Sequence, residues 1–157
     1  MAILEIKKYP NPILRKKCQR KEEITANIRK LGQDMKETMV KNQGIGLAAP
    51  QVGELKRVIA VQMEKEMQVF INPKIIKKSR ETEIAEEGCL SFLGLFLKIK
   101  RAREVEIKAL DIEGKEIQIK AEGLPARVFQ HEIDHLDGIL FLNRINLWQK
   151  LWRLLKN

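Results

Sequence analysis

Ile24, Ile28, Leu31, Met35 and Met39 recur at steps of four, three, four and four residues, which lines one face of a 3.6-residue period. Lys30, Asp34, Lys36 and Lys41 fall on other faces, so the spacing predicts an amphipathic helix that stops near Gly44. Strand-like segments follow. RVIAV at 57–61 and QVFI at 68–71 are short apolar runs, the second ahead of a turn expected at Asn72-Pro73. Glu104–Leu110 and Glu116–Lys120 alternate charged and apolar residues, and Glu113-Gly114-Lys115 between them suits a hairpin connection. Such a pair has one apolar and one charged face, as in an antiparallel sheet with one wet side. A second helix is expected from Pro125 to Gly138, and a third amphipathic stretch closes the chain. Helix, then strands, then helix is an α+β order rather than repeated βαβ units.

The chain has 157 residues and a mass of 18.2 kDa, without internal repeat or Gly/Ser linker, and is read as a single domain over 1–157. Hydrophobic residues at 44% and charged residues at 32% exclude wholesale disorder. The formal charge of +9 favours contact with polyanions and does not bear on the fold. Two cysteines, Cys18 and Cys89, cannot build a disulfide framework, so a reducing compartment is expected. With no signal-peptide pattern and no apolar run near the ~18 residues of a bilayer span, the expected location is the cytoplasm, without stable membrane insertion.

The chemistry concentrates at His131-Glu132-Ile133-Asp134-His135, an HExxH motif that contains both histidines of the chain. Residues four apart on a helix lie about 40° apart around its axis, so both imidazoles can grip one ion. Glu132 sits on the rim of that face, able to exchange a proton with water held there. Projection of the helix puts Phe129, Ile133 and Leu136 on the adjoining sector and Arg127, Gln130 and Asp134 on the far side, with Asp134 expected to face solvent.

A third ligand must come from upstream, because no His or Glu follows His135 and Asp137 would turn away from the imidazole pair. Cys89, in EEGCLS at 86–91, is the best candidate. One thiolate with two imidazoles leaves a fourth position open, the pattern of a catalytic site, although a lone Cys can equally be a small buried hydrophobe. Cys18 lies among Arg15, Lys16, Lys17 and Arg20, which would lower its pKa in a reactive thiol, but the better reading is an incidental residue. Gly44-Ile45-Gly46-Leu47-Ala48-Ala49 formally fits a dinucleotide fingerprint, but it follows a helix where a strand is required. It reads instead as a loop that another chain's backbone can approach, with the Gln51 amide available as a donor, or as a plain structural turn.

Taken together, GIGLAAPQVG at 44–53, EGCLS at 87–91 and HEIDH at 131–135 resemble the three motifs of the peptide deformylases. The resemblance implies antiparallel sheets packed around a central HExxH helix, with an N-terminal and a C-terminal helix. It implies an enzyme that removes the N-formyl group from the formylmethionine of newly made polypeptides, releasing formate. It further implies that Cys89, His131 and His135 hold one divalent ion, usually Fe(II) with zinc, nickel or cobalt able to substitute. Glu132 would then be the general acid/base, the Gln51 side chain and the Leu90 N–H would stabilise the oxyanion, and Gly46 would bond the substrate backbone. Arg101 resembles a family position that supports substrate binding. The peptide would add as a strand beside 44–53 and 88–94, with Ile45, Val128 and Leu124 walling an apolar pocket for the methionine. Where the family often has proline, this chain has Leu93.

Beyond Asp137 the chain has no acidic residue, while Arg144, Lys150, Arg153 and Lys156 add four positive charges. Trp148, Leu151, Trp152 and Leu155 recur at helical spacing, so 146–157 is expected to form a basic amphipathic helix. It would pack on the domain or on a partner copy, lie on a membrane surface, or dock on ribosomal RNA; DNA is not expected as a partner. Two rival functions stay open at this level: an HExxH endopeptidase, and a small basic RNA-binding protein with a structural metal.

Overall fold

The first apolar stripe becomes α1 (Ala26–Lys41) in the computed structural model, which describes residues 2–156. Thr25 caps the helix, its hydroxyl accepting from the Ile28 N–H and satisfying a free amide of the first turn. Ile28, Leu31, Met35 and Met39 are buried, and Ile24 packs beside them just ahead of the cap. The start of the chain is tied to the same helix, the Ala2 N–H donating to Asp34 Oδ1 and the Leu4 N–H to Thr38 Oγ1.

Seven strands follow: β1 (Gly46–Ala48), β2 (Val58–Gln62), β3 (Met67–Lys78), β4 (Thr82–Cys89), β5 (Phe92–Ala102), β6 (Glu104–Leu110) and β7 (Glu116–Glu122). Five form one antiparallel sheet in the order β1-β2-β3-β6-β7, and β4 and β5 pair as a separate hairpin. The helix α2 (Leu124–Leu136) lies against one face of the large sheet and α1 against the other. This explains why RVIAV does not alternate. Ile59 and Val61 of β2 belong to the α2 side of the core, Val58 and Ala60 to the α1 side, and both faces are dry. The β6–β7 hairpin has the expected alternation, with Val105, Ile107 and Ala109 buried.

Two expectations about loops are corrected. Asn72-Pro73 is not a turn: β3 runs through it as a bulge, its register against β6 shifting between Ile71 and Lys74. Asn72 holds φ at +51° while its side chain brackets Lys21, accepting from the Lys21 N–H at 2.9 Å and donating to the Lys21 carbonyl at 2.6 Å. Pro73, which has no N–H to give, falls where the ladder is already broken. The glycine-rich segment, in turn, contains the edge strand β1 before a short 3-10 turn at Ala49–Val52.

α2 is buried all the way round from Ala126 to Leu136. Asp134 therefore does not face solvent, nor do Arg127 and Gln130, because the β4–β5 hairpin and the turn at Phe141–Arg144 close over the far side of the helix. Phe92, Leu97, Ile99, Leu140 and Phe141 make the small core beneath that cover. The last helix, α3 (Leu147–Leu155), begins at the Asn146 cap; Asn157, part of the expected stretch, lies outside the described residues. Its apolar stripe does not pack on the domain. Trp148 is 79% exposed and Trp152 60%, and the helix meets the hairpin through a bond from Gln149 Nε2 to the Lys98 carbonyl. Among the described residues no helix is long and apolar enough to cross a membrane.

Phe129, fully buried and edge-on to Phe70 with ring centroids 5.0 Å apart, joins α2 to β3. Truncation to alanine, Phe129→Ala, is expected to cost about 3–5 kcal/mol, measured by urea denaturation.

Candidate active site

Three chain segments converge on one cleft of about 430 Å³. β1 supplies one wall. Gln62 N–H donates to the Ile45 carbonyl, which makes Ile45 and Gln62 a bonded pair of the β1–β2 ladder. Strand alternation then turns the N–H and C=O of Gly46 outward, to an edge that no other strand pairs among the described residues. Gly46 is required there by contact: a Cβ would overlap Glu132 Oε1 and stand 2.7 Å from Val128 Cγ1.

The strand β4 supplies the second wall. Glu87 and Cys89 both meet α2, at His131 and His135 respectively, across a register shift between them. α2 supplies the third, with His131 and His135 one turn apart. Cys89 Sγ lies 3.4 Å from His135 Nε2, and the two Nε2 atoms lie 3.2 Å apart. Two nitrogens and a sulfur bound to one tetrahedral ion at about 2.0 and 2.3 Å stand roughly 3.3 Å (N to N) and 3.6 Å (N to S) from one another. The three donors therefore fit a single ion. Burial, then the charge of His131, holds the His135 imidazole well below its usual range, which keeps it neutral with a lone pair to offer.

His131 is aimed by a carboxylate. Its Nδ1 lies 2.8 Å from Glu87 Oε1, an arrangement that fixes the tautomer and turns Nε2 to the cleft. Burial alone would lower the His131 pKa, but hydrogen bonds to Cys89 and Glu87 and the charge of Glu132 hold it up at about 10. Such surroundings favour a cation at this point. Burial would likewise raise Glu87, yet bonds from His131 and Arg101 keep it ionised, at about 2. Glu132 is different. Burial pushes its carboxyl up to about 7, and its Oε2 has no hydrogen-bond partner among the described residues. It is thus a buried acceptor poised between its two protonation states near neutrality.

The Gln51 amide is fixed at both ends. Oε1 accepts from the Ala48 N–H at 2.9 Å, so Nε2 faces Ser91 Oγ at 3.2 Å and Cys89 Sγ at 3.5 Å. Ile45, Leu90, Leu124 and Val128 also line the cleft, and Leu93, 77% exposed, stands on its rim.

The structure moves one of the expected residues. Arg101 does not reach the cleft: it is buried, its guanidinium bonded to Glu87 at 2.9 and 3.0 Å and to Asp134 at 2.6 Å. The substrate-binding role drawn from the resemblance is corrected accordingly, since a guanidinium enclosed by two carboxylates has no free donor face. Cys18 is incidental to the site, as expected: burial in the core raises its thiol to about 11 despite the nearby Arg57. Glu87 was missed as the partner of His131, although its spacing of two from Cys89 on one strand would have flagged it.

The family model for polypeptide deformylase matches residues 3–151. The chain belongs to the peptide deformylase family. It is 50% identical to a peptide deformylase of Thermodesulfovibrio yellowstonii, an alignment covering 98% of this chain and 96% of that one. Among solved structures it resembles the Thermotoga maritima peptide deformylase, with TM-score 0.90 and 39% identity over 93% of this chain and 99% of that one. It equally resembles the Ehrlichia chaffeensis peptide deformylase solved in complex with actinonin, with TM-score 0.92 and 39% identity over 99% of this chain and 96% of that one. Membership makes the chain an enzyme that removes the N-formyl group from nascent peptides. The endopeptidase and structural-metal alternatives fall with it.

The close approach of β1 to α2 is testable. Gly46→Ala is expected to destabilise the protein by about 1–3 kcal/mol, as overpacking does, read as a lower midpoint in urea.

Proposed function

We propose that the cleft hydrolyses the formyl amide of formylmethionyl peptides, with Cys89, His131 and His135 holding one divalent ion and Glu132 moving the proton. The observation that carries this reading is the triangle of one sulfur and two ring nitrogens, beside an unpartnered carboxylate oxygen and an open strand edge. Ferrous iron suits a donor set of one thiolate and two imidazoles, and zinc, nickel and cobalt accept the same donors. When bound, the ion supplies Lewis acidity to the formyl carbonyl and makes water nucleophilic near neutral pH.

The remaining steps belong to the chain itself. The peptide adds as a strand along β1, its backbone bonding the outward N–H and C=O of Gly46. Its methionine side chain enters the apolar end of the cleft between Ile45, Leu124 and Val128, where burial of the thioether favours binding. Negative charge that develops on the formyl oxygen meets the Gln51 Nε2–H, already aimed by the Ala48–Gln51 bond, and the Leu90 N–H. Glu132 accepts a proton from the attacking water and returns it to the amine that leaves. A pKa near neutrality lets one carboxyl do both.

The helix α3 is proposed as a contact with the ribosome, where formylated chains emerge in the cytoplasm. Its support is an exposed apolar stripe flanked by Lys150, Arg153 and Lys156, without an acidic residue.

Formate release from a formyl-Met peptide, with and without chelator, tests the central reading. Chelator is expected to abolish it and added divalent metal to restore it. Glu132→Gln is expected to retain the metal, with turnover reduced by at least ~10²-fold; an active, metal-replete variant would remove Glu132 from this role. Deleting residues 147–157 is expected to weaken salt-sensitive cosedimentation with ribosomes while leaving hydrolysis of a short peptide unchanged.

A further inference from the structure

The ligand triangle spans a joint between two parts of the fold. Its sulfur rides on β4, in a hairpin that shares no ladder with the five-stranded sheet, and its two nitrogens ride on α2. Two buried arginines cross this joint in opposite directions. Arg127, on α2, reaches to the hairpin and bonds Glu87 Oε2 at 2.7 Å, the Ile99 carbonyl at 2.8 Å and the Glu83 carbonyl at 2.8 Å. Arg101, on β5, reaches back to Asp134 of α2 while its other donors hold Glu87. Asp134 is gripped from its other side by Arg144.

Arg127 has the wider reach of the two across the hairpin, since its acceptors lie on both β4 and β5. It also stands four residues before His131, and the carboxylate it holds is two residues before Cys89 and bonded to the His131 ring. A guanidinium can satisfy three acceptors in fixed directions, whereas an ammonium on a flexible stem cannot hold that span. Three bonds from one planar group therefore set both the distance of the hairpin from α2 and the aim of the His131 ring.

We propose that Arg127 is a positioning residue for the metal site: it clamps β4 and β5 to α2 so that Cys89 Sγ closes on the two imidazole nitrogens, and it secures the Glu87 carboxylate that orients His131. The inference rests on the reading of Cys89, His131 and His135 as metal ligands. Arg127 lines the cleft, but its guanidinium is engaged by Glu87 and by the Ile99 and Glu83 carbonyls. Its effect passes through the spacing of the ligands and the orientation of one ring, and losses of this kind typically weaken metal affinity by ~10- to 100-fold.

The test compares full-length wild type, Arg127→Met, Arg127→Lys and Met35→Ala, the last a core truncation in α1 remote from the joint. Zinc affinity is measured by competition with a chromophoric chelator, ligand geometry by the visible spectrum of the cobalt-loaded protein, and stability by thermal melting. Both Arg127 variants are expected to bind zinc ~10- to 100-fold more weakly and to show an altered cobalt spectrum. Met35→Ala is expected to melt earlier with zinc affinity and cobalt spectrum unchanged. If Arg127→Met does not fold, Arg127→Lys decides, because it keeps the charge and most of the volume. An Arg127→Lys protein with wild-type zinc affinity and cobalt spectrum would overturn the proposal, leaving Arg127 a merely structural residue. Wild-type protein that binds no zinc, or binds it equally after Cys89→Ala, would instead overturn the metal-site reading itself.

Discussion

The joint between the β4–β5 hairpin and α2 is built around one buried carboxylate. Glu87 receives hydrogen bonds from Arg101, Arg127 and His131, three cationic or polar donors drawn from β5 and α2 around a group on β4. A carboxylate out of water is costly unless fully paired, and breaking up such a cluster leaves an uncompensated charge in a dry place. The hairpin and the helix are thereby held to a single mutual placement. That placement brings a sulfur and two ring nitrogens to within 3.4 Å of one another along the triangle's two short edges.

From this constraint the division of labour among the polar groups follows. Two glutamates sit within a few residues of Cys89 and His131 and are driven in opposite directions by their surroundings. Glu87, surrounded by donors, stays ionised and acts as a fixed orienting charge. Glu132, buried with one oxygen unpartnered among the described residues, rises to about 7, between its two protonation states near neutrality. Two carboxylates on the same cleft thus acquire separate roles from environment alone, as is common where a site must both hold a charge and move one.

The glycine-rich segment contributes in a different way. Gly46 lets the backbone of β1 come against Glu132 and Val128, so its open strand edge lies directly beside the buried carboxyl of the cleft. A side chain at that position would separate recognition from chemistry. The bulge at Asn72-Pro73 has a quieter purpose: it lets a twelve-residue strand serve both β2 and β6 while its Asn side chain anchors the N-terminal arm at Lys21.

Local pattern was sufficient to read α1, α2, α3, the β6–β7 hairpin and the pairing of His131 with His135, because each depends on neighbours within a turn or a short hairpin. The HExxH spacing needs only a helix to become two ligands. The β4–β5 hairpin escaped this reading, since β4 is largely exposed and shows little apolar alternation. Resemblance to a family supplied Cys89 as a ligand where spacing left it open, and it also misplaced Arg101. Whether Asp134 met water or two guanidiniums, and which acid would orient His131, depended on how the hairpin closes over α2. Those answers come from contacts between residues 10 to 44 positions apart, and no periodicity along the chain records them. Residue types and local spacing set which atoms are on hand for catalysis; packing between distant segments selects which of them meet, because burial and charge pairing exist only once those segments share one interior.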